Sequence, residues 1–280
     1  MWFATYDGIN KYDGYAFTVY QHNEDDPHSI ANDIARIVKT DSRGRVWIGT
    51  REGLSWYDEE KDQFKNYFYE KNGKRLQVNG IAEISPTQLL ISTPEQLALF
   101  DIDKEVFIDD FFGMPTHRIV ASALYRYNDF IYIGTEQNGL YRYSISQKAM
   151  EKEEAIANTK KIQAILQQSP TQLWIATEGA GLLLFNPKTQ EVKNYQHVSG
   201  NSKAISSNYI RSLALDSQNR LSEYLSGSQR LVRVLQQQSG RKRQSVATLR
   251  AQYIHGLAGR NVAGYIFRRA ELLPSHPQPV

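Results

Sequence analysis

The chain has 280 residues, 41% of them apolar and 11% aromatic, with a formal net charge of +3. That is long and apolar enough for one large domain or two smaller ones, and it excludes a chain too polar to build a core. The absence of cysteine excludes disulfides, thiolate metal sites and thiol nucleophiles together.

No run of about 18 apolar residues is present to cross a bilayer. The opening Met-Trp-Phe-Ala-Thr-Tyr-Asp-Gly lacks the basic-then-apolar order of an export signal, so as encoded the expected location is cytoplasmic or undetermined. Seventeen Tyr and four Trp against three Met favour strands, because flat aromatic side chains fit pleated, stacked surfaces. The charge is uneven along the chain. Residues 222 to 280 carry nine Lys or Arg and two acids, net +7, which leaves 24 bases and 28 acids, net −4, in residues 1 to 221. This shift marks an expected boundary near Leu221.

In chain order, equivalent short runs are Trp2-Phe3-Ala4-Thr5, Trp47-Ile48-Gly49-Thr50, Leu90-Ile91-Ser92-Thr93, Tyr132-Ile133-Gly134-Thr135 and Trp174-Ile175-Ala176-Thr177. Their first residues lie 45, 43, 42 and 42 apart. After each Thr comes a turn and an apolar run closing on an aromatic residue: 8 to 12, 53 to 57, 96 to 100, 139 to 143 and 181 to 185. Gly8, Gly53, Gly139 and Gly181 suit a turn that needs positive φ, with Gln96 the exception. A further strand is expected at 17 to 20, 64 to 67, 106 to 108 and 192 to 195. The innermost strand of the next unit is expected at 34 to 40, 80 to 84, 119 to 125, 162 to 166 and 210 to 215.

Several short strands at a period in the low forties predict an all-β chain: a β-propeller with about five four-stranded blades of an incomplete, originally seven-bladed ring, and a non-propeller C-terminal tail. Strands packed on both faces explain why Val46-Trp47-Ile48 is apolar without alternation. The anchors Trp2, Trp47, Tyr132 and Trp174 are therefore expected in the core. An aromatic there can also stack on a sugar, but a position repeated in every unit reads as packing. Gly49, Gly53, Gly134, Gly139 and Gly181 are assigned to packing and turn geometry.

At Asp41 to Asp58 the pattern Asp-Ser-x-Gly-x-x-Trp-Ile-Gly-Thr-x-x-Gly-Leu-x-x-Tyr-Asp resembles the two-component regulator propeller repeat, and weaker copies surround the other anchors. That repeat is typical of the extracytoplasmic sensor region of bacterial hybrid two-component histidine kinases of Bacteroidetes type. The resemblance covers residues 1 to about 221. It implies a fragment of a ligand-sensing propeller responding to a carbohydrate-type ligand and contacting other blades or domains of a parent sensor. It also implies a homodimeric, periplasmic parent, and no catalysis or cofactor in this chain.

Two departures stand out. The innermost strand and Asp-Ser-x-Gly turn expected before Trp2 are absent. Asp216 to Leu221 aligns with Asp41 to Val46, but Ser222 stands where Trp is due, followed by Glu-Tyr-Leu-Ser-Gly. Residues 222 to 280 accordingly read as a frameshifted or otherwise unrelated, unstructured tail.

The six His, at 22, 28, 117, 197, 255 and 276, have no metal-ligand spacing, so no metal is expected. No phosphate loop, nucleophile elbow or kinase motif is present. The pairs Asp25-Asp26 and Asp109-Asp110 read as solvated loop charges rather than acid–base machinery. The basic residues Arg230, Arg233, Arg241, Lys242, Arg243 and Arg250 can contact phosphates, but without a reading motif no specific nucleic-acid function is expected.

Two loop sets are expected at one common end of the blades. Candidate ligand contacts there are Arg51, Glu52, Glu136, Gln137 and Glu178 in the first set and Tyr69, Lys74 and Arg75 in the second, where an aromatic beside bases and amides can hold an anionic or neutral glycan. A stand-alone interaction or glycan-binding module, and a propeller lyase or hydrolase, are the alternatives. Partner capture would favour the former, and glycan turnover the latter. The frameshift reading predicts that the DNA after codon 221, translated in one of the other two frames, continues with a Trp-Ile-Gly-Thr-like run. Absence of such a run from both frames would contradict it.

Overall fold

The structure is a computed structural model that describes residues 1–109, 119–159, 161–201, 204–215, 221–225 and 233–235, the side chains of 222–225 and 233–235 excepted. The described residues form a succession of antiparallel meanders. The first sheet has three strands, Trp2–Ala4, Ile9–Tyr12 and Phe17–Tyr20. The second has four, Ala35–Thr40, Val46–Thr50, Gly53–Asp58 and Gln63–Tyr67. The third runs Gly80–Ser85, Gln88–Ser92, Leu97–Asp101 and Val106–Ile108. The fourth runs Ala121–Tyr127, Phe130–Thr135, Leu140–Ser144 and Ala149–Lys152. The fifth runs Ile162–Ser169, Gln172–Thr177, Leu182–Asn186 and Glu191–Tyr195. A sixth pairs Ile210–Leu215, Leu221–Leu225 and Arg233–Leu235. From the second sheet on, the first strand of each sheet lies against the first strand of the next.

Cores form between neighbouring sheets, not within one. Ile48 faces Ala4, Ile9 and Ile30 of the preceding unit, while the next side chain along the strand, Trp47, faces Val78, Ile81 and Phe100 of the following one. Ile131 and Ile133 likewise face the third sheet and Tyr132 the fifth. Successive side chains point to opposite faces of a strand, and here both faces are covered, so an unbroken apolar run is what burial requires. Trp47 and Tyr132 are 1% exposed and Trp174 is 4% exposed, as expected of core anchors. Trp2 is only half-buried, with its ring centroid 4.7 Å from that of Tyr57.

The motif around Trp47 owes its Asp to hydrogen bonding. Buried Asp41 accepts the indole Nε1–H at 2.8 Å, the Arg45 Nε–H at 2.7 Å, and the backbone N–H groups of Arg43 and Arg45. Gln168, also six residues before its Trp, accepts from Trp174. A buried indole N–H needs such a partner.

The turn glycines have φ of +95° at Gly8, +150° at Gly53, +72° at Gly139 and +85° at Gly181, in agreement with the turn reading. Gly49 and Gly134 serve packing and not turn geometry. Neither has a positive φ, and their role is to leave space for the next sheet. A Cβ at Gly49 would lie 2.7 Å from Val78 Cγ1, and one at Gly134 would lie 2.5 Å from Ile162 Cγ2.

Two elements were not expected. The fourth sheet has an outer strand at Ala149–Lys152, whose Ala-Met-Glu-Lys has little strand propensity but pairs with Leu140–Ser144. Residues 67 to 75, read as a loop, contain a hairpin of Glu70–Lys71 and Lys74–Arg75 across Asn72-Gly73, a dipeptide suited to a tight turn. The boundary expected at residue 221 falls inside the sixth sheet, since 222–225 and 233–235 are strands although the Trp-Ile-Gly-Thr residues are missing there. The rest of the tail lies outside the described residues, as do Asp110 and His117.

The Gly134→Ala substitution should destabilise the chain by about 1–3 kcal/mol, because the methyl meets a packed isoleucine with little room to yield. Urea unfolding would show a lower midpoint at unchanged slope, and an unchanged midpoint would contradict this account of the contact.

Candidate functional site

The turn that follows the repeated Thr, between the first two strands of the first sheet and between the second and third strands of the next four, is built the same way each time. The buried Thr at its start donates its hydroxyl to a carbonyl across the turn: Thr5 to Gly8, Thr50 to Gly53, Thr93 to Gln96, Thr135 to Gly139 and Thr177 to Gly181, at 2.6–3.1 Å. The same oxygens accept N–H groups from within the turn, at Asp7, Glu52, Gln96, Asn138 and Ala180. The turns are thereby pre-shaped without help from a ligand. They are also tied to the next residues of the fold, since Arg51 N–H donates to the Ile34 carbonyl, Glu136 N–H to Val120 and Glu178 N–H to Lys161, at 2.9–3.2 Å.

These bonds put Arg51, Glu52, Glu136 and Glu178 at the end where each first strand begins. In the second, fourth, fifth and sixth sheets that first strand carries a register shift at its second residue: Arg36, Ser122, Gln163 and Arg211. A bulge re-aims the side chain of the extra residue, and all four residues are polar. The sequence alone does not mark them, and the third sheet carries Ile81 at this place without a shift there.

The candidates fall into separate groups. Glu52 accepts from Asn32 at 3.2 Å and lies 3.6 Å from Arg75, which also lies 3.6 Å from Glu70 and stacks 3.8 Å above Phe68. Glu136 pairs with Lys161 at 3.0 Å, and Glu178 accepts from Gln163 at 2.7 Å. Gln137 is exposed in its turn, and Lys74 is exposed on the hairpin. Tyr69 does not fit its expected role as a surface contact. It is 6% exposed, donates its hydroxyl to Asp109 and accepts from Gln96, so it holds the loop in place. Burial, then Asp109, push its phenol well up.

Beside Glu178 a cleft of about 460 Å³ opens between the fourth and fifth units, lined by Glu154, Asn158, Thr159, Gly179, Asn194 and Gln196. Its amides, hydroxyl and carboxylate stand beside the apolar Ala155, Ile156, Ala180 and Leu183, a mixture that suits a sugar ring with polar edges and apolar faces. Two loop histidines, His22 and His197, are structural twins. Their Nδ1 atoms bond the carbonyls of Ile30 at 2.7 Å and Ile205 at 3.0 Å, and their N–H groups donate to Asp33 and Asn208. Among the described residues no group of acids and histidines is placed to hold a metal, and no helix is long and apolar enough to cross a membrane.

A second cleft, of about 400 Å³, lies at the junction of the first two sheets around Lys11, Tyr20, Tyr57 and Asp62. Asp62 accepts from Tyr20 at 2.6 Å and from Tyr57 at 2.5 Å, and Lys11 donates to Tyr57 at 3.0 Å. Burial, and then Asp62, raise both phenols, while the two hydroxyls lower the Asp62 carboxyl. Glu105 takes the equivalent place beside Tyr67 and Lys65, and both acids sit in the left-handed region, at φ of +52° for Asp62 and +58° for Glu105. These clusters latch one sheet to the next.

Solved structures show where this fold occurs. The extracellular domain described as that of the hybrid two component system BT3049 from B. thetaiotaomicron is 20% identical, with a TM-score of 0.57 over 79% of this chain and 36% of that one. The corresponding domain of BT4673 from the same organism is 18% identical, with a TM-score of 0.58 over 79% of this chain and 35% of that one. PorZ, a surface component of the type-IX secretion system of Porphyromonas gingivalis, is 17% identical, with a TM-score of 0.60 over 78% and 34%. The chain thus spans about a third of the length of these proteins. No protein-family model and no curated protein matches it. The similarity in fold to extracellular domains of hybrid two-component systems agrees with the resemblance carried by the repeat motif.

Because Asp62 is lowered, its contribution to stability is complete above its ordinary value of 3.8 and is lost as pH falls through the lower folded-state value. The stability gap between the parent chain and Asp62→Asn should therefore be widest above about pH 5 and close below about pH 4. A gap that does not change with pH would contradict the latch.

Proposed function

We propose that the chain is part of the extracytoplasmic ligand-sensing region of a hybrid two-component sensor histidine kinase. In this reading, residues 1 to 221 are propeller blades and the turn end described above faces the ligand. The observation that carries it is the coincidence of two independent signals. The five-fold Trp-Ile-Gly-Thr repeat points to this family, and extracellular domains of hybrid two-component systems match the fold over 79% of the chain.

The chain supplies recognition and not chemistry. Its acids at the turn end are engaged with amides or bases, as Glu136 is with Lys161 and Glu178 with Gln163, which suits a rigid binding surface. A ligand seated across several turns would bias how successive sheets meet, and that shift is what a following kinase would read. A carbohydrate-type ligand suits the cleft beside Glu178 and the mixed amide, carboxylate and basic groups at Arg51, Glu52, Glu136 and Gln137. A second reading, a surface binding module without a kinase, draws on the likeness to PorZ.

Titration of the chain with a panel of plant and host oligosaccharides should find one that binds, with affinity reduced at least about tenfold by Asn194→Ala or Glu178→Ala, the loss typical of a removed polar contact. In the bacterium that encodes it, deletion of the gene should abolish the transcriptional response to that saccharide. A deletion that leaves every saccharide response intact would overturn the sensor reading, and capture of a surface partner instead would favour the second.

A further inference from the structure

Resting on the sensing reading above, we propose that Arg36 anchors an anion subsite, so that the ligand presents a carboxylate or sulfate group on a saccharide body. The charge of Arg36 is unbalanced. Arg36 is half-buried on the bulge of its strand, and a guanidinium out of water normally finds an acidic partner. Among the described residues it has none. Its Nη2 donates to Gln77 Oε1 at 3.4 Å and its Nη1 to the Tyr6 hydroxyl at 3.5 Å, both long and both to neutral groups, while its Nε–H is buried without an acceptor.

The acids nearby are committed elsewhere. Asp33 accepts the His22 N–H, Asp7 accepts from Gln21, and Glu52 is held by Asn32 and Arg75. The surroundings are also shaped for a ligand. The Gln77 amide is oriented by its bond to Asn79, so its oxygen faces the guanidinium. The Tyr6 ring lies 5.5 Å from Arg36 Cζ and is 58% exposed, which leaves an open aromatic face next to the cation. Arg51, tied by its N–H to the Ile34 carbonyl, adds a second cation to the same rim. A planar oxyanion that meets a guanidinium through two parallel bonds would supply what the protein leaves out, and a sugar ring attached to it would lie on Tyr6.

The test is calorimetric titration of the whole chain with glucuronate, glucose 6-sulfate and glucose at constant ionic strength. The variants are Arg36→Met, Arg36→Lys and Arg43→Met, the last at an exposed arginine in the turn at the opposite end of the sheet. The expected result is that both anionic sugars bind at least about tenfold more tightly than glucose. That preference should be lost in Arg36→Met, partly kept in Arg36→Lys and unchanged in Arg43→Met, with Tyr6 and Gln77 amide resonances shifting on addition of glucuronate. Equal binding of all three sugars by the parent chain would overturn the anion subsite and leave the sensing reading standing. Anion preference that survives Arg36→Met would overturn the assignment to Arg36, and failure of both glucuronate and glucose 6-sulfate to bind would overturn the subsite. Should Arg36→Met not fold, an unchanged preference in Arg36→Lys together with unshifted Tyr6 and Gln77 resonances would equally overturn that assignment.

Discussion

One inter-sheet contact underlies the rest of the structure. A residue at or just before the start of an inner strand donates its N–H to the carbonyl of the repeated Thr in the sheet before it: Ala35 to Thr5 and Val78 to Thr50, each at 2.9 Å. The contact requires the backbones to come close, and they can do so because the residue before each Thr is small: Ala4, Gly49, Ser92, Gly134 and Ala176. Val78 therefore lies over Gly49, and Ile162 lies over Gly134. A larger residue would force neighbouring sheets apart and open the cores between them.

The same Thr residue works in two directions. The Thr50 carbonyl receives the next sheet and its hydroxyl closes the turn that leads to Arg51, while the Thr135 and Thr177 hydroxyls close the turns that lead to Glu136 and Glu178. At the first two junctions the packing of the sheets and the shape of the turns are thus set by one residue type at a repeated position. Any tilt of one sheet on the next moves the turns with it, so a ligand bound as proposed would bias how the sheets stack. The tyrosine–carboxylate latches at Asp62 and Glu105 would resist that tilt at a different place on the same junctions.

Much of this was legible in the residues. The spacing of Trp2, Trp47, Leu90, Tyr132 and Trp174 located the second strand of each unit, and the apolar runs after the turn glycines located the third. The outer strand at Ala149–Lys152 was not legible, because its residues carry no strand preference and it exists only by pairing. The hairpin at Glu70 to Arg75 had a signal in Asn72-Gly73, hidden by the charged residues around it. Tyr69 looked like a surface aromatic and is buried, since nothing in its local sequence announces Asp109 and Gln96 as partners. Arg36 was invisible for a different reason. A bulge is a property of register between two strands, and only the paired structure shows that the residue has left the ladder.

The first three sheets dock through the carbonyls of Thr5 and Thr50 and together support the turns. Amide hydrogen exchange of the whole chain checks this docking at the N–H groups of Ala35 and Val78, which reach those two carbonyls. The account predicts that Ala35 and Val78 exchange as slowly as the ladder amides of Ile48 and Leu90, and that Thr50→Val, which keeps the carbonyl and the shape but removes the hydroxyl, speeds exchange in the 51 to 53 turn while leaving Val78 protected. Fast exchange at Ala35 and Val78, with protection confined to pairs within each sheet, would contradict it.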